Sequence, residues 1–130
     1  MSWQKKLWEI LQSTPTKSKK NACLRGLSGH LTYSTQAVAY LLKDSIELDH
    51  LIIIGARHEY ALVQPELRTQ YLHHLAQQDP HVFEKLFCDL LALPLLRHLL
   101  HDELANLSTQ TPIGRAVYTL NQSLLDRSIA

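Results

Sequence analysis

Leucine at helical spacing constrains this chain more than any other feature of it. Leucine supplies about a fifth of the 130 residues, well above ordinary usage. The leucines recur three and four positions apart, the period of a helix face rather than of a strand. After Asp79-Pro80, the residues Val82, Phe83, Leu86, Phe87, Leu90, Leu91 and Leu93 cover about half of a helix circumference. Beyond Pro94 the pattern continues through Leu95, Leu96, Leu99, Leu100, Leu104 and Leu107. A last stripe follows Thr111-Pro112 with Ile113, Val117, Leu120 and Leu124. Such stripes need partners of their own kind, and the spacing predicts an all-α, single-domain bundle of about five to six helices.

The start signals agree with the stripes. An acid or threonine before a proline, as at Asp79-Pro80 and Thr111-Pro112, supplies an N-cap followed by a residue that needs no N–H partner. Pro65 opens another helix showing Leu67, Tyr71, Leu72 and Leu75, while Pro94 interrupts the ladder and ends or kinks the helix before it. Ser34 is placed to cap a helix through about Lys43. Residues 46–56 stay open between helix and strand: Leu51-Ile52-Ile53-Ile54 is β-branched and ends at Gly55, yet a lone strand has nothing to pair with, which favours helix.

Residues 3–11 form an amphipathic pattern, with Trp3, Leu7, Trp8, Ile10 and Leu11 on one face and Lys5, Lys6 and Glu9 opposite. Residues 12–30 are polar and basic, punctuated by Pro15, Gly26 and Gly29, and read as a loop or connector. The expected division is therefore an arm at 1–30 and a Leu-rich helical domain at 31–130. Charge sharpens it. The first thirty residues hold six bases against one acid, a net +5, and the remainder holds seven bases against eleven acids, a net −4. The overall +1 hides this asymmetry.

Composition excludes several classes. With 45% apolar and 19% charged residues, five prolines and four glycines, the chain is neither collagen-like nor of low complexity. Cys23 and Cys88 are too few and too far apart for a disulfide framework or a zinc site. No run approaches the ~20 apolar residues of a membrane-spanning helix, and the first residues lack the apolar stretch of a secretory signal. The expectation is a soluble, cytoplasmic protein.

Catalytic patterns are incomplete. His98, His101 and Asp102 share the polar face of one helix and form a weak candidate metal triad without a fourth ligand. Glu47-x-x-His50 matches half of a di-iron carboxylate pattern, which needs the motif twice. Glu103 falls inside the apolar stripe of its helix, where a carboxylate needs a basic partner or reaches outward from the rim. There is no nucleophile elbow and no phosphate-binding loop. A helix-turn-helix at 35–54 fails, since its turn at Lys43-Asp44-Ser45 lacks glycine and Glu47 and Asp49 would face the phosphates. No catalytic residue, cofactor or metal is therefore expected.

Two functions lead, with a histidine-using enzyme or metal site as a minor third reading. The first is a non-enzymatic helical interaction module (an adaptor, regulator or assembly chaperone) that binds a protein partner or itself, with Trp3, Leu7, Trp8 and Leu11 as its contact face. In the plainer alternative these side chains complete the bundle's own core. The second is non-specific binding of nucleic acid or an anionic surface through Lys17, Lys19, Lys20 and Arg25, which could instead fold onto the acidic body.

Overall fold

In a computed structural model, residues 3–14, 16–43, 46–105 and 110–129 are described, with side chains to residue 122. Pro15, Asp44, Ser45, Leu107 and the Leu124 side chain lie outside the described residues. The described residues form eight α-helices and no strand: α1 Trp3–Ser13, α2 Lys17–Gly26, α3 Leu31–Leu42, α4 Leu48–Arg57, α5 Pro65–Ala76, α6 Pro80–Leu91, α7 Pro94–Leu104 and α8 Pro112–Ile129. A short 3₁₀ turn, Ala61–Val63, precedes α5. The all-α expectation is met, with more and shorter helices than the five to six predicted.

One of the additional helices is α2, a correction to the reading of 12–30 as a loop or connector. It has no acid in its first turn, and its N-cap residue Thr16 makes no side-chain capping bond. Ten residues of this composition would not hold a helix alone in water. Burial of Asn21, Cys23 and Leu24, with Leu27 just beyond, holds it. A second correction concerns α3, which begins at Leu31 rather than after Ser34. His30 caps it, its Nδ1 accepting the Tyr33 N–H at 3.3 Å. Ser34 is instead a buried residue inside the helix.

Proline-led starts appear where the sequence places them. The Asp79 carboxylate accepts the His81 N–H at 2.9 Å, and the Thr111 hydroxyl accepts the Gly114 N–H at 3.1 Å. Residues 46–56 are helical from Leu48, with His50, Leu51, Ile53 and Ile54 buried.

The chain divides into two compact units, Met1–Tyr71 and Leu72–Ala130. In the first, α1 packs against α2 and α3, α2 packs against α4, and α3 meets the 3₁₀ turn. Leu11, Leu24, Leu27, Val38, Leu51, Ile54 and Leu62 make its core. Gly26 sets the approach of α1 to α2: a Cβ there would lie 2.7 Å from Leu7 Cδ1. Tyr71 donates its hydroxyl to the Leu51 carbonyl at 2.8 Å, and Arg68 donates to the carbonyls of Leu62 and Val63. In the second unit, α6 packs against α7 and α8, around Phe83, Phe87, Leu90, Leu96, Leu100 and Leu120. No described helix is long and apolar enough to cross a membrane.

The packing of α1 is testable. Leu11 has no exposed surface, so Leu11→Ala is expected to destabilise the fold by about 2–5 kcal/mol in urea unfolding. Trp3 is 60% exposed, and Trp3→Ala is expected to change stability by less than about 0.5 kcal/mol. Equal, small effects at both positions would mean that α1 is not part of the first unit's core.

Candidate functional site

Helix α4 ends at Arg57, and the next residue, His58, turns its ring into the first unit, where it is 1% exposed. One ring nitrogen, Nε2, lies 2.7 Å from the carbonyl oxygen of Leu24 on α2. A carbonyl only accepts, so Nε2 carries the proton and donates it. Nδ1 is then left with a lone pair, and it accepts the hydroxyl hydrogen of Ser34 on α3 at 2.6 Å. Both nitrogens of a neutral imidazole are thereby satisfied, and three helices are tied at one point. Burial holds the imidazole pKa below its ordinary 6.5; the bond to Leu24 opposes this and the Arg57 charge adds to it.

Serine beside histidine also has the outline of a nucleophile and its base. Ser34 is only 2% exposed, however, and its own N–H is spent on the His30 carbonyl. The arrangement serves as a structural tie. It forms the floor of a half-open cavity of about 380 Å³, walled by Ser28 and Gly29 from the turn after α2, Leu31 from the start of α3, and Arg57 and Tyr60 from the end of α4. Leu31 is 64% and Tyr60 65% exposed, large apolar side chains standing at the rim. Arg57 is the only charged residue in the lining, and no carboxylate lies within ion-pair distance of it among the described residues. The positive end of the α3 dipole opens on the same side, so this cleft combines apolar rim, rigid floor and positive charge. The second unit holds a cavity of about 370 Å³ over Phe83 and Leu120, but Arg115 and Glu84 both line it and it has no single charge preference.

The residues proposed from sequence are placed as follows. Leu11 is buried, Leu7 is half-buried, and half-buried Trp8 meets Tyr40 edge-on at 5.8 Å. Tyr40 also donates its hydroxyl to the Gln12 carbonyl at 3.2 Å. Most of the expected contact face of α1 is thus occupied within its own unit, with Trp3 still exposed. Among the bases, Lys17 bonds Asp49 at 3.1 Å and lies 3.8 Å from Glu47, and its pKa is raised chiefly by Asp49. Lys20 is half-buried, whereas Lys19 and Arg25 are exposed. His98, His101 and Asp102 all sit on the exposed side of α7, and Glu103 is half-buried. Among the described residues no three His, Cys, Asp or Glu side chains converge closely enough to hold a metal ion. Glu47 is exposed while His50 is buried, so that pair does not share a site.

Sequence reasoning did not find Ser34, His58 or the cleft. His58 is 24 positions from Ser34 and 34 from Leu24, beyond the reach of any local spacing. The available signal was a histidine directly after an apolar helical run, which is too common to stand out.

Removing one partner of the tie should show its worth. Ser34→Ala leaves a buried imidazole nitrogen without its donor, and the expected loss of stability is about 1–3 kcal/mol. Ser28→Ala removes an exposed hydroxyl bonded to the Arg25 carbonyl and is expected to cost less than about 0.5 kcal/mol. Comparable losses from the two variants would remove the special role of the buried pair.

No curated protein and no solved structure matches the chain. One family, described as a protein of unknown function (DUF3549), matches residues 1–121, nearly the whole length. The chain belongs to the DUF3549 family.

Proposed function

We propose that the chain is a non-enzymatic helical interaction module, and that the cleft walled by Leu31, Arg57 and Tyr60 docks a short segment of a partner protein. One observation carries this reading: two large apolar side chains stand mostly exposed at the rim of the same cavity. Burying a leucine alone is worth about 1.5–3 kcal/mol, and tyrosine and arginine are the residues over-represented at the energetic centres of interfaces. The Arg57 charge, which has no carboxylate partner among the described residues, favours a partner segment with a carboxylate beside a large apolar side chain. A rigid floor limits the entropy lost on docking.

The test is a photoreactive residue in place of Tyr60. The expected result is one discrete adduct on irradiation in cells, lost when Arg57→Glu or Leu31→Asp is added, and absent when the probe replaces exposed Ile52 on α4. The adduct's mass tells a foreign partner from a second copy of the chain. No adduct, or the same adducts from both positions, would contradict the reading.

A second reading rests on exposed Lys6, Lys19 and Arg25 along α1 and α2. It is non-specific binding of nucleic acid or an anionic surface. With Lys17 occupied by Asp49, few phosphates would be engaged, so the expected salt dependence is shallow. Single-stranded DNA binding that is unchanged by Lys19→Glu and Arg25→Glu together would exclude it.

A further inference from the structure

Two buried histidines lie in line along α4 and its C-cap residue. His50, Ile54 and His58 follow one another at intervals of four, and their relative exposures are 4%, 0% and 1%. This line of residues is turned toward α2. Lys17 of α2 bonds Asp49 beside His50, and Leu24 of α2 accepts from His58, so α2 and α4 run side by side in the same direction. His50 is next to Lys20 and Lys17 from α2 and to Glu47 and Asp49 from its own helix. Neither of its ring nitrogens has a hydrogen-bond partner among the described residues, and the same holds for Oδ1 of buried Asn21 on α2.

We propose that α2 is an acid-released element: it docks on α4 only while His50 and His58 are neutral, and lowering the pH undocks residues 17–26 before the rest of the fold yields. The inference stands apart from the cleft's role in binding, since it concerns only how α2 is held.

The physical reason is uptake of protons on undocking. A histidine in water takes its proton near pH 6.5. Docked, His50 is held lower by burial first, then by the Lys20 charge, against the opposing charges of Glu47 and Asp49. His58 is held lower by burial first as well, against the bond to Leu24 and with Arg57 adding to the shift. Below pH 6.5 the undocked state therefore binds protons that the docked state refuses. Docking weakens as pH falls through this range, and the contribution of the two histidines is constant above about 7.5. Each histidine can weaken docking by up to about tenfold per pH unit until its docked-state pKa is reached. The helix that must respond is also the one least able to stand alone: α2 has no first-turn acid and no side-chain N-cap. The Lys17–Asp49 pair joins an exposed ammonium on α2 to an exposed carboxylate on α4 at 3.1 Å, away from the buried imidazoles.

The experiment is hydrogen exchange on the full chain between pH 7.5 and 5.0, corrected for the intrinsic rate. The expected result is that protection of residues 17–26 drops about tenfold or more between pH 6.5 and 5.0, while α6 in the second unit keeps its protection. In His50→Leu, which removes a titrating group and two unpartnered nitrogens, the logarithm of that drop should shrink by roughly half. Adding His58→Gln, whose amide can still donate to Leu24 and accept from Ser34, should flatten it. Protection of 17–26 that survives to pH 5.0, or that is lost together with α6, overturns the proposal. If the double variant does not fold, His50→Leu decides alone, and a pH dependence equal to the wild type overturns it too.

Discussion

The 2.7 Å bond from the His58 ring to the Leu24 carbonyl, with Ser34 completing the other side, is the constraint on which the first unit depends. A buried imidazole is costly when either nitrogen is left dry, and here both are served by groups from different helices. The bond fixes where α2 ends against α4, and the hydroxyl fixes how α3 begins against both. The turn at Ser28 and Gly29, the first turn of α3 and the end of α4 then have little freedom, and they are the walls of the cleft. The tie made by Leu24, Ser34 and His58 thus sits beneath the exposed rim formed by Leu31, Arg57 and Tyr60.

This packing occupies most of the apolar face of the N-terminal helix within its own unit. The amphipathic face of α1 looks like a contact surface in isolation, yet Leu11, Leu7 and Trp8 are spent on α2 and α3. The basic segment is likewise partly consumed, because Lys17 is bridged to the acids that open α4. The excess of bases in residues 1–30 thus meets acids of α4 within the same compact unit. The large side chains still exposed near Arg57 are Leu31 and Tyr60, which a linear reading had no reason to join.

The second half of the chain was the more legible. Pro65, Asp79-Pro80 and Thr111-Pro112 state their helix starts locally, Pro94 marks the break between α6 and α7, and an apolar stripe follows each of them. Local physics decides those elements, so local sequence suffices. Helix α2 has no such signals; tertiary burial of Asn21, Cys23 and Leu24 makes it a helix, and that information lies in residues far along the chain. The start of α3 was misplaced because a serine is the usual cap, whereas a histidine ring performs the task and Ser34 is drawn inward by His58. The candidate metal triad read from sequence, His98, His101 and Asp102, lies on the exposed face of α7. Burial shifts the pKa of His50 on α4 and of His58 at its C-cap downward.

The central claim is that His58 is a neutral, doubly bonded tie with its proton on Nε2. The direct measurement is a long-range proton–nitrogen NMR spectrum of the histidine side chains in the full chain at pH 6.0, with His58 assigned by His58→Gln. The account predicts the Nε2–H tautomer, an Nδ1 shift typical of an acceptor nitrogen, and slow exchange of the ring proton. A His58 ring carrying its proton on Nδ1, or already charged at pH 6.0, would contradict it.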